Sequence, residues 1–512
     1  MVASYLSRFR WIPAALGLVA CAPAHALDME YYVYNGFDEA LGAFQRLALI
    51  FSDNNYVTMF TAVAILAIVM AVTAFHVRGL SGGGPVDIRS WAMPIIIGVV
   101  VFRALVLPKG TIFLYDPVRN ENQAIGGVPD AIVVVAGSLN LLERGLVDIV
   151  DTASAYPYAS EAGGITFDLI YRATAEWNDV NDFYYTMSLG RYFTDCGLPA
   201  LASQAYNVNL DQLKRANDDI RTLLEAMASP DNFTVYYSTD NKAGASLTCA
   251  TDWQVNLSPF LNSPDSFTGM INGICAKAGF NVSSVNQQQR CRTLLARAAE
   301  TAGAVGSDAV NFVRQAYIAD AIDRVMQEKN PDLAQKAIAN RNLMIQGIGI
   351  SNTVNEWIPT IRAVVLAVVL GMIPLVALFL VTPLAGRAIL VTVGLLVWFT
   401  LWGITDAITH QMALDGAQRA FQRITDFQLG LDSMWLMPEA STKALAYFGK
   451  IRGMSFMIAT ALSGMLLKLG ASALSGIAQG LTESATSAAA GAATQTPTET
   501  RAPLRHGLVA GS

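Results

Sequence analysis

Three long segments without a single charge stand out along this chain. They are Val57–Phe75, Ala363–Val381 and Ala388–Thr405, each of 18 or 19 residues. A helix needs about 20 apolar residues to cross the roughly 30 Å hydrocarbon core of a bilayer. Each segment therefore predicts a membrane-spanning helix.

Two further apolar segments contain one charge each. Trp91–Leu107 contains Arg103, and the flanking residues Trp91 and Lys109 are of the types found at membrane interfaces. Gly453–Leu481 contains Lys468 and predicts a fifth transmembrane helix or an interfacial one. The pattern thus predicts a mainly α, polytopic membrane protein with about five transmembrane helices.

Each of these two intramembrane charges has two interpretations. Arg103 lies four residues from the end of its segment, so its side chain can reach the interface. Alternatively, it pairs with Asp406 or lines a translocation path. For Lys468 the choice is between the interface and an interior partner.

The first 26 residues have the pattern of an export signal. Arg8 and Arg10 precede a short apolar core, Trp11–Ala20, and Ala24–Ala26 forms an A-x-A cleavage site. One alternative is a lipobox ending at Cys21, which would become an acylated N-terminus, and another is an uncleaved anchor. All three predict that the following residues lie on the periplasmic side of a bacterial inner membrane.

Composition agrees with a membrane protein. Of the 512 residues, 53% are hydrophobic and 14% are charged, against about 25% charged in soluble domains. Mean hydropathy is +0.38 and the formal net charge is −6. A nucleic-acid-binding protein needs a basic footprint, so we expect no direct nucleic-acid binding.

The segments divide the chain into eight predicted parts. These are a signal peptide (1–26), a short periplasmic segment (27–56), a first transmembrane hairpin (57–107), a periplasmic domain (108–355), a second transmembrane hairpin (356–405), a periplasmic loop (406–452), a fifth transmembrane or interfacial helix (453–481) and a tail (482–512). We expect the tail to be disordered because Ala, Gly, Ser and Thr dominate it.

The positive-inside rule fits only part of this topology. Arg78, Arg89 and Arg387 lie in short loops that are predicted to be cytoplasmic, as the rule requires. The predicted periplasmic loop is nevertheless rich in basic residues, which are Arg419, Arg423, Lys443, Lys450 and Arg452. The sequence alone leaves this conflict open.

The predicted periplasmic domain reads as mostly helical and acidic. Lys109–Asn355 holds 18 Lys and Arg against 26 Asp and Glu. Apolar periodicity predicts helices over Asn209–Ala228 and Arg290–Gln327. Phe233–Tyr237 is strand-like and could start a hairpin, and Ser238–Asn286 is predicted to be mostly loop.

This domain also holds the four cysteines of the mature chain, which are Cys196, Cys249, Cys275 and Cys291. An even number in an exported domain indicates two disulfides, with three possible pairings, while buried free thiols are the alternative. No pair has the C-x-x-C spacing of a redox enzyme.

Catalytic and metal-binding patterns are missing from the sequence. It contains no H-E-x-x-H, no C-x-x-C and no nucleotide-binding G-x-x-x-x-G-K-[ST]. Gly79–Gly83 matches the G-x-S-x-G of hydrolases by letters, but Gly84-Pro85 follows it and no strand is predicted before it. We therefore expect a protein that is not an enzyme, with no cofactor and no metal.

Several short stretches, in order along the chain, resemble the N-terminal region of the TraG family from F-type conjugative transfer systems, a type IV secretion class. These are Tyr34–Asp38, Tyr115–Val118, Gly127–Pro129, Thr194–Gly197, Leu210–Leu213, Ala228–Pro230 and Leu247–Cys249. The resemblance covers about residues 30–481. It implies that Cys196 pairs with Cys249, which leaves Cys275 for Cys291.

The resemblance also implies a function. It predicts an inner-membrane structural component, with partners among the conjugation apparatus proteins and membrane lipid, that supports assembly of the pilus or mating channel during transfer of a plasmid or integrative conjugative element. Full-length F-type members continue into a large periplasmic region for mating-pair stabilisation and entry exclusion, and entry exclusion is not expected here. The alternative is a stand-alone transporter or channel with a periplasmic domain.

Overall fold

The protein is mainly helical and divides into two compact units. The computed structural model describes residues 27–80, 89–152, 154, 156–175, 183–203, 208–215, 219–304, 306–329, 361–382, 384–422, 424–425 and 429–467. Unit 1 comprises Met1–Ala153, Ile358–Ala407 and Ser455–Ala478, and unit 2 comprises Ser154–Trp357, Ile408–Met454 and Gln479–Ser512. The predicted signal peptide, Lys468 and the predicted tail lie outside the described residues.

Unit 1 contains a small sheet and the most apolar helices. Its elements are β1 (Asp28–Tyr32), α1 (Phe37–Ser52), α2 (Asn54–Leu80), α3 (Arg89–Val101) with a π-turn over Phe102–Val106, β2 (Lys109–Asp116), β3 (Glu121–Pro129), α4 (Asp130–Asp151), α16 (Ile361–Val381), the start of α17 (Ala385–Phe421) and the end of α18 (Leu431–Leu467). The segment 108–355, predicted as one domain, is therefore divided between the two units.

Three of these helices are long and apolar enough to cross a membrane. They correspond to the three uncharged segments of the sequence and extend over Asn54–Ala74, Ile361–Val381 and Ala385–Phe421. The second predicted span is represented by a shorter apolar helix, Ile95–Val106, and the fifth falls at the end of α18, beyond which the chain is not described. Five spans thus remain a prediction.

Close backbone approach holds the membrane helices of unit 1 together. A Cβ atom at Gly98 of α3 would collide with the carbonyl oxygen of Leu380 in α16, so only glycine permits this contact. Nearby, the Tyr56 hydroxyl donates to the Pro374 carbonyl at 2.6 Å. The Phe60 and Phe102 rings stack with centroids 3.5 Å apart.

A three-stranded sheet, which the sequence did not predict, lies beside these helices. Strand β2 is central, parallel to β1 and antiparallel to β3. Tyr31, Ile112 and Leu114 are buried on one face, where the Tyr31 ring packs against Phe44 of α1. Because two membrane segments separate β1 from β2 in sequence, local pattern gave no sign of their pairing.

Unit 2 is built from shorter helices and one hairpin. Its elements are α5 (Tyr158–Glu161), α6 (Ile165–Ala175), α7 (Phe183–Tyr192) with a π-turn over Phe193–Gly197, α8 (Leu198–Ser203), α9 (Leu210–Lys214), α10 (Ile220–Ala226), β4 (Phe233–Tyr236), β5 (Ala245–Thr248), α11 (Cys249–Asp252) with a π-turn over Trp253–Leu257, α12 (Ser258–Asn262), α13 (Pro264–Lys277), α14 (Val285–Thr301) and α15 (Ala309–Lys329), with the remaining parts of α17 and α18.

An aromatic cluster forms part of the core of unit 2. The Tyr185 and Phe260 rings lie 3.9 Å apart between centroids, and Phe267 and Tyr317 pack against them. The Tyr185 hydroxyl donates to the Leu257 carbonyl at 2.7 Å. The tyrosines thus contribute apolar area while their hydroxyl groups stay hydrogen-bonded, as buried tyrosines usually are.

Two sequence predictions for unit 2 are confirmed in outline and one is wrong. The strand-like patch does start a hairpin, β4–β5. The helices predicted over Asn209–Ala228 and Arg290–Gln327 are each present as two shorter ones. Ser238–Asn286, however, is largely helical, because buried residues such as Trp253 and Phe267 anchor helices that its polar composition concealed.

Helices α17 and α18 occupy most of residues 406–452, the segment predicted to be a periplasmic loop. Three of its basic side chains make contacts within unit 2. Arg419 donates to the Asp415 carbonyl, Lys443 pairs with Glu439, and Arg452 packs against Gly163. The positive-inside rule counts loops of up to about 60 residues, helical or not, so the conflict with the predicted topology stands.

Both disulfides lie in the core of unit 2, and all four cysteines are fully buried. Cys196–Cys249 joins the π-turn after α7 to α11, and Cys275–Cys291 joins α13 to α14. This is the pairing that the family resemblance implied. The sequence separations are 53 and 16 residues.

We predict that the longer disulfide stabilises unit 2 as a single cross-link. Cys196→Ser and Cys249→Ser should lower protein level equally, and the double variant should be no worse, since each single change already removes the bond. The free energy of unfolding should fall by about 1 kcal/mol more than in Cys275→Ser, because the disulfide Cys196–Cys249 closes the longer loop. Protein level and thermal unfolding of each variant measure this, and additive losses would contradict it.

Candidate functional site

A buried ion pair joins α4 to the start of α16 in unit 1. Glu143 Oε1 accepts a hydrogen bond from Arg362 Nη2. The carboxylate side chain is 1% exposed and the guanidinium side chain 11%. The two groups must stay in contact, because without its partner either one would be a buried charge with nothing to compensate it.

The helical period explains why an acidic residue is buried here. Ala136, Asn140, Glu143 and Val147 recur at three- and four-residue spacing along α4 and are all buried. Two polar residues therefore occupy the face that packs inward. The spacing of these residues can be seen in the sequence, but it was not recognised there as a polar site.

Asn140 has a separate role on the same face. Its side-chain amide accepts from the backbone N–H of Tyr32 at 2.5 Å and donates to the Tyr32 carbonyl at 2.9 Å. These are the two groups that a neighbouring strand would bind. Asn140 thus satisfies the outer backbone groups of β1 at Tyr32, and α4 packs beside the strand.

The ion pair packs so closely against α17 that the residue at position 403 must be glycine. A Cβ atom at Gly403 of α17 would collide with both Glu143 Oε1 and the Arg362 guanidinium. The guanidinium also lies over the Phe399 ring, 4.7 Å from its centroid. Helices α4, α16 and α17 therefore meet at this pair.

A second carboxylate lies one turn further along α17. Asp406 is 2% exposed and accepts from the Ser455 hydroxyl of α18 at 3.2 Å. Burial raises the pKa of Glu143, Arg362 lowers it, and the nearby Asp406 raises it again. The cluster thus contains two acidic side chains and one guanidinium, which can tie four helices together.

Of the two intramembrane charges suggested by the sequence, Lys468 lies outside the described residues. Arg103 is exposed within its π-turn. Among the described residues no ion pair joins it to Asp406. Over the same residues no group of three or more His, Cys, Asp or Glu could hold a metal ion.

These features define a class of protein. Three helices that could cross a bilayer, a buried polar cluster at their ends and a disulfide-linked helical unit are those of a membrane protein. The chain belongs to the family described as TraG-like protein, N-terminal region, whose model matches residues 30–489. No curated protein and no solved structure matches it.

We predict that Gly403→Ala disrupts the cluster, because the added methyl group would force Glu143 and Arg362 apart. Breaking a buried ion pair costs about 3–5 kcal/mol, so the protein level should fall sharply. Gly371→Ala on α16 is the matched control, since a Cβ atom there contacts nothing within 4 Å. Protein level and trypsin resistance in membranes measure both variants, and equal behaviour would contradict the prediction.

Proposed function

We propose that the chain is a non-enzymatic, inner-membrane component of a conjugative type IV secretion system. It would support assembly of the pilus or mating channel and so DNA transfer between bacteria. The observation that carries this proposal is the family match over residues 30–489, which covers most of the chain. Its partners would be other proteins of the apparatus.

The disulfides support a periplasmic location for unit 2. Structural disulfides persist in oxidising compartments such as the periplasm and are rare in the cytosol. Both disulfides lie in this unit, between Cys196 and Cys291. The apolar helices of unit 1 support anchoring in the membrane, and about five spans with a cleaved signal peptide complete the proposed topology.

The first experiment is deletion of the gene from a conjugative element. Transfer should fall by several orders of magnitude and should return when the wild-type gene is supplied in trans. Gly371→Ala should restore transfer as well, whereas Gly403→Ala should not. Co-purification from membranes separates this proposal from a stand-alone transporter, which would be isolated without apparatus proteins. Unchanged transfer after deletion would refute the proposal.

The second experiment tests the topology with alkaline phosphatase, which is active only when exported. Fusions at Gly197 and Gly306 should be active, because both residues belong to unit 2. A fusion within Gly82–Pro85 should be inactive, because this short connection is proposed to be cytoplasmic. Inactivity at Gly306 would overturn both the topology and the argument from the disulfides.

A further inference from the structure

The sheet of unit 1 treats its two edges differently. At β1 the Asn140 amide binds the outward backbone groups of Tyr32, and α4 packs beside the strand. The edge at β3 has no such cover, because no strand among the described residues pairs with its outer side. Unpaired strand edges are templates for another extended chain, and proteins usually protect them.

The hydrogen bonds of β2 identify which groups of β3 point outward. The Thr111 N–H donates to the Leu27 carbonyl at 2.9 Å, and the Tyr115 carbonyl accepts from Val33, so these residues direct their backbone groups away from β3. Their partners across the ladder are Gly126 and Asn122. In an antiparallel ladder the pattern alternates, so Asn122, Ala124 and Gly126 turn their N–H and C=O groups to the open edge.

A groove runs along this edge. It has a volume of about 410 Å³ and lies between β3 and the C-terminal half of α1. One wall is formed by Gln45, Ala48, Leu49 and Ser52, and the other by Ala124–Gly127. A helix beside an unpaired edge strand is the arrangement in which extended peptides dock by strand addition.

The residues along the groove lack the charged side chains and prolines that often protect an edge, although the ladder has a register shift opposite Gly126–Val128. Its lining carries no charge, and β3 has no Lys, Arg or Pro between Asn122 and Val128. Charged side chains and prolines are the usual protection against strand addition. The side chains of Ala124, Gly126 and Gly127 are also too small to obstruct a neighbouring backbone.

We propose that this groove binds an extended, uncharged segment of a partner protein, which adds to the sheet as a fourth strand beside β3. The partner's backbone would bond to Ala124 and Gly126, and its side chains would meet Leu49, which is 69% exposed. A lone strand fits this space better than a second copy of the chain. If β3 paired with β3 of a second copy, the α1 helix of that copy would approach the α1 helix that already lines the groove.

The identity of the partner as an apparatus protein rests on the proposed function, whereas the groove itself does not. If deletion leaves transfer unchanged but a segment still docks, the proposed function fails and the groove stands. If deletion abolishes transfer but no segment docks, the proposed function stands and the groove proposal fails.

The test uses the full chain in cells that carry the whole conjugative element. Leu49 is replaced by the photo-crosslinking amino acid p-benzoylphenylalanine, and adducts are identified by mass spectrometry of their peptides. We expect an adduct to one short contiguous segment of a different protein of the element. Gly126→Lys should lower its yield at least tenfold, because the charge would be placed on the edge, where a Cβ atom meets nothing within 4 Å.

Gly145→Lys is the matched control. It makes the same substitution at an exposed position of α4, away from the groove lining, where a Cβ atom also meets nothing within 4 Å. The adduct yield should stay unchanged. Ala124→Pro is a second variant. Proline is tolerated in an edge strand, but it removes one outward N–H group, so the adduct yield should also fall. Intact disulfides and wild-type protein level show that each variant has folded.

Three outcomes would overturn the proposal. One is an adduct only to another copy of this chain or to lipid. Another is the absence of any adduct in cells that transfer normally. The third is an equal yield from Gly126→Lys and Gly145→Lys, since that would mean the outward edge makes no contact with the captured segment.

Discussion

The buried contact between Glu143 and Arg362 is the interaction on which the arrangement of unit 1 depends. It joins a helix that covers the sheet to the first turn of a helix that could cross a membrane. Gly403 brings the next helix within reach of the same pair, and Asp406 extends the cluster to α18. Apolar surfaces can slide past one another, whereas a buried charge pair has only one favourable position, so it gives this junction a defined register.

Unit 2 is held by covalent and aromatic contacts instead. Its helices are short, and several are only one or two turns long, so each has little stability of its own. The disulfide Cys196–Cys249 connects the helical part to the region after the hairpin, and Cys275–Cys291 clamps two adjacent helices. Such a unit suits an oxidising compartment, where its cross-links persist.

The two edges of the sheet in unit 1 differ: α4 packs beside β1, whereas no described strand pairs with the outer side of β3. At β1 the Asn140 amide binds the outward backbone groups of Tyr32, and the helix that carries Asn140 also carries Glu143. At β3 the backbone groups of Ala124 and Gly126 face an uncharged groove. Unit 1 therefore combines a closely packed internal junction with an open sheet edge.

The sequence by itself determined the three long membrane helices, because an uncharged run of about 20 residues has few other stable environments. It also indicated the start of the β4–β5 hairpin, whose signals are local, and the even number of cysteines between Cys196 and Cys291. The pairing of those cysteines came from the family resemblance.

Only the tertiary structure decided the rest. The pairing of β1 with β2 and the contact of Glu143 with Arg362 join residues far apart in the chain, which no periodicity within one segment records. The helices between Cys249 and Lys277 were concealed by polar composition, because their stability comes from packing of a few buried side chains such as Phe267. Long-range packing, rather than local propensity, therefore settled the sheet, the ion pair and the division into two units.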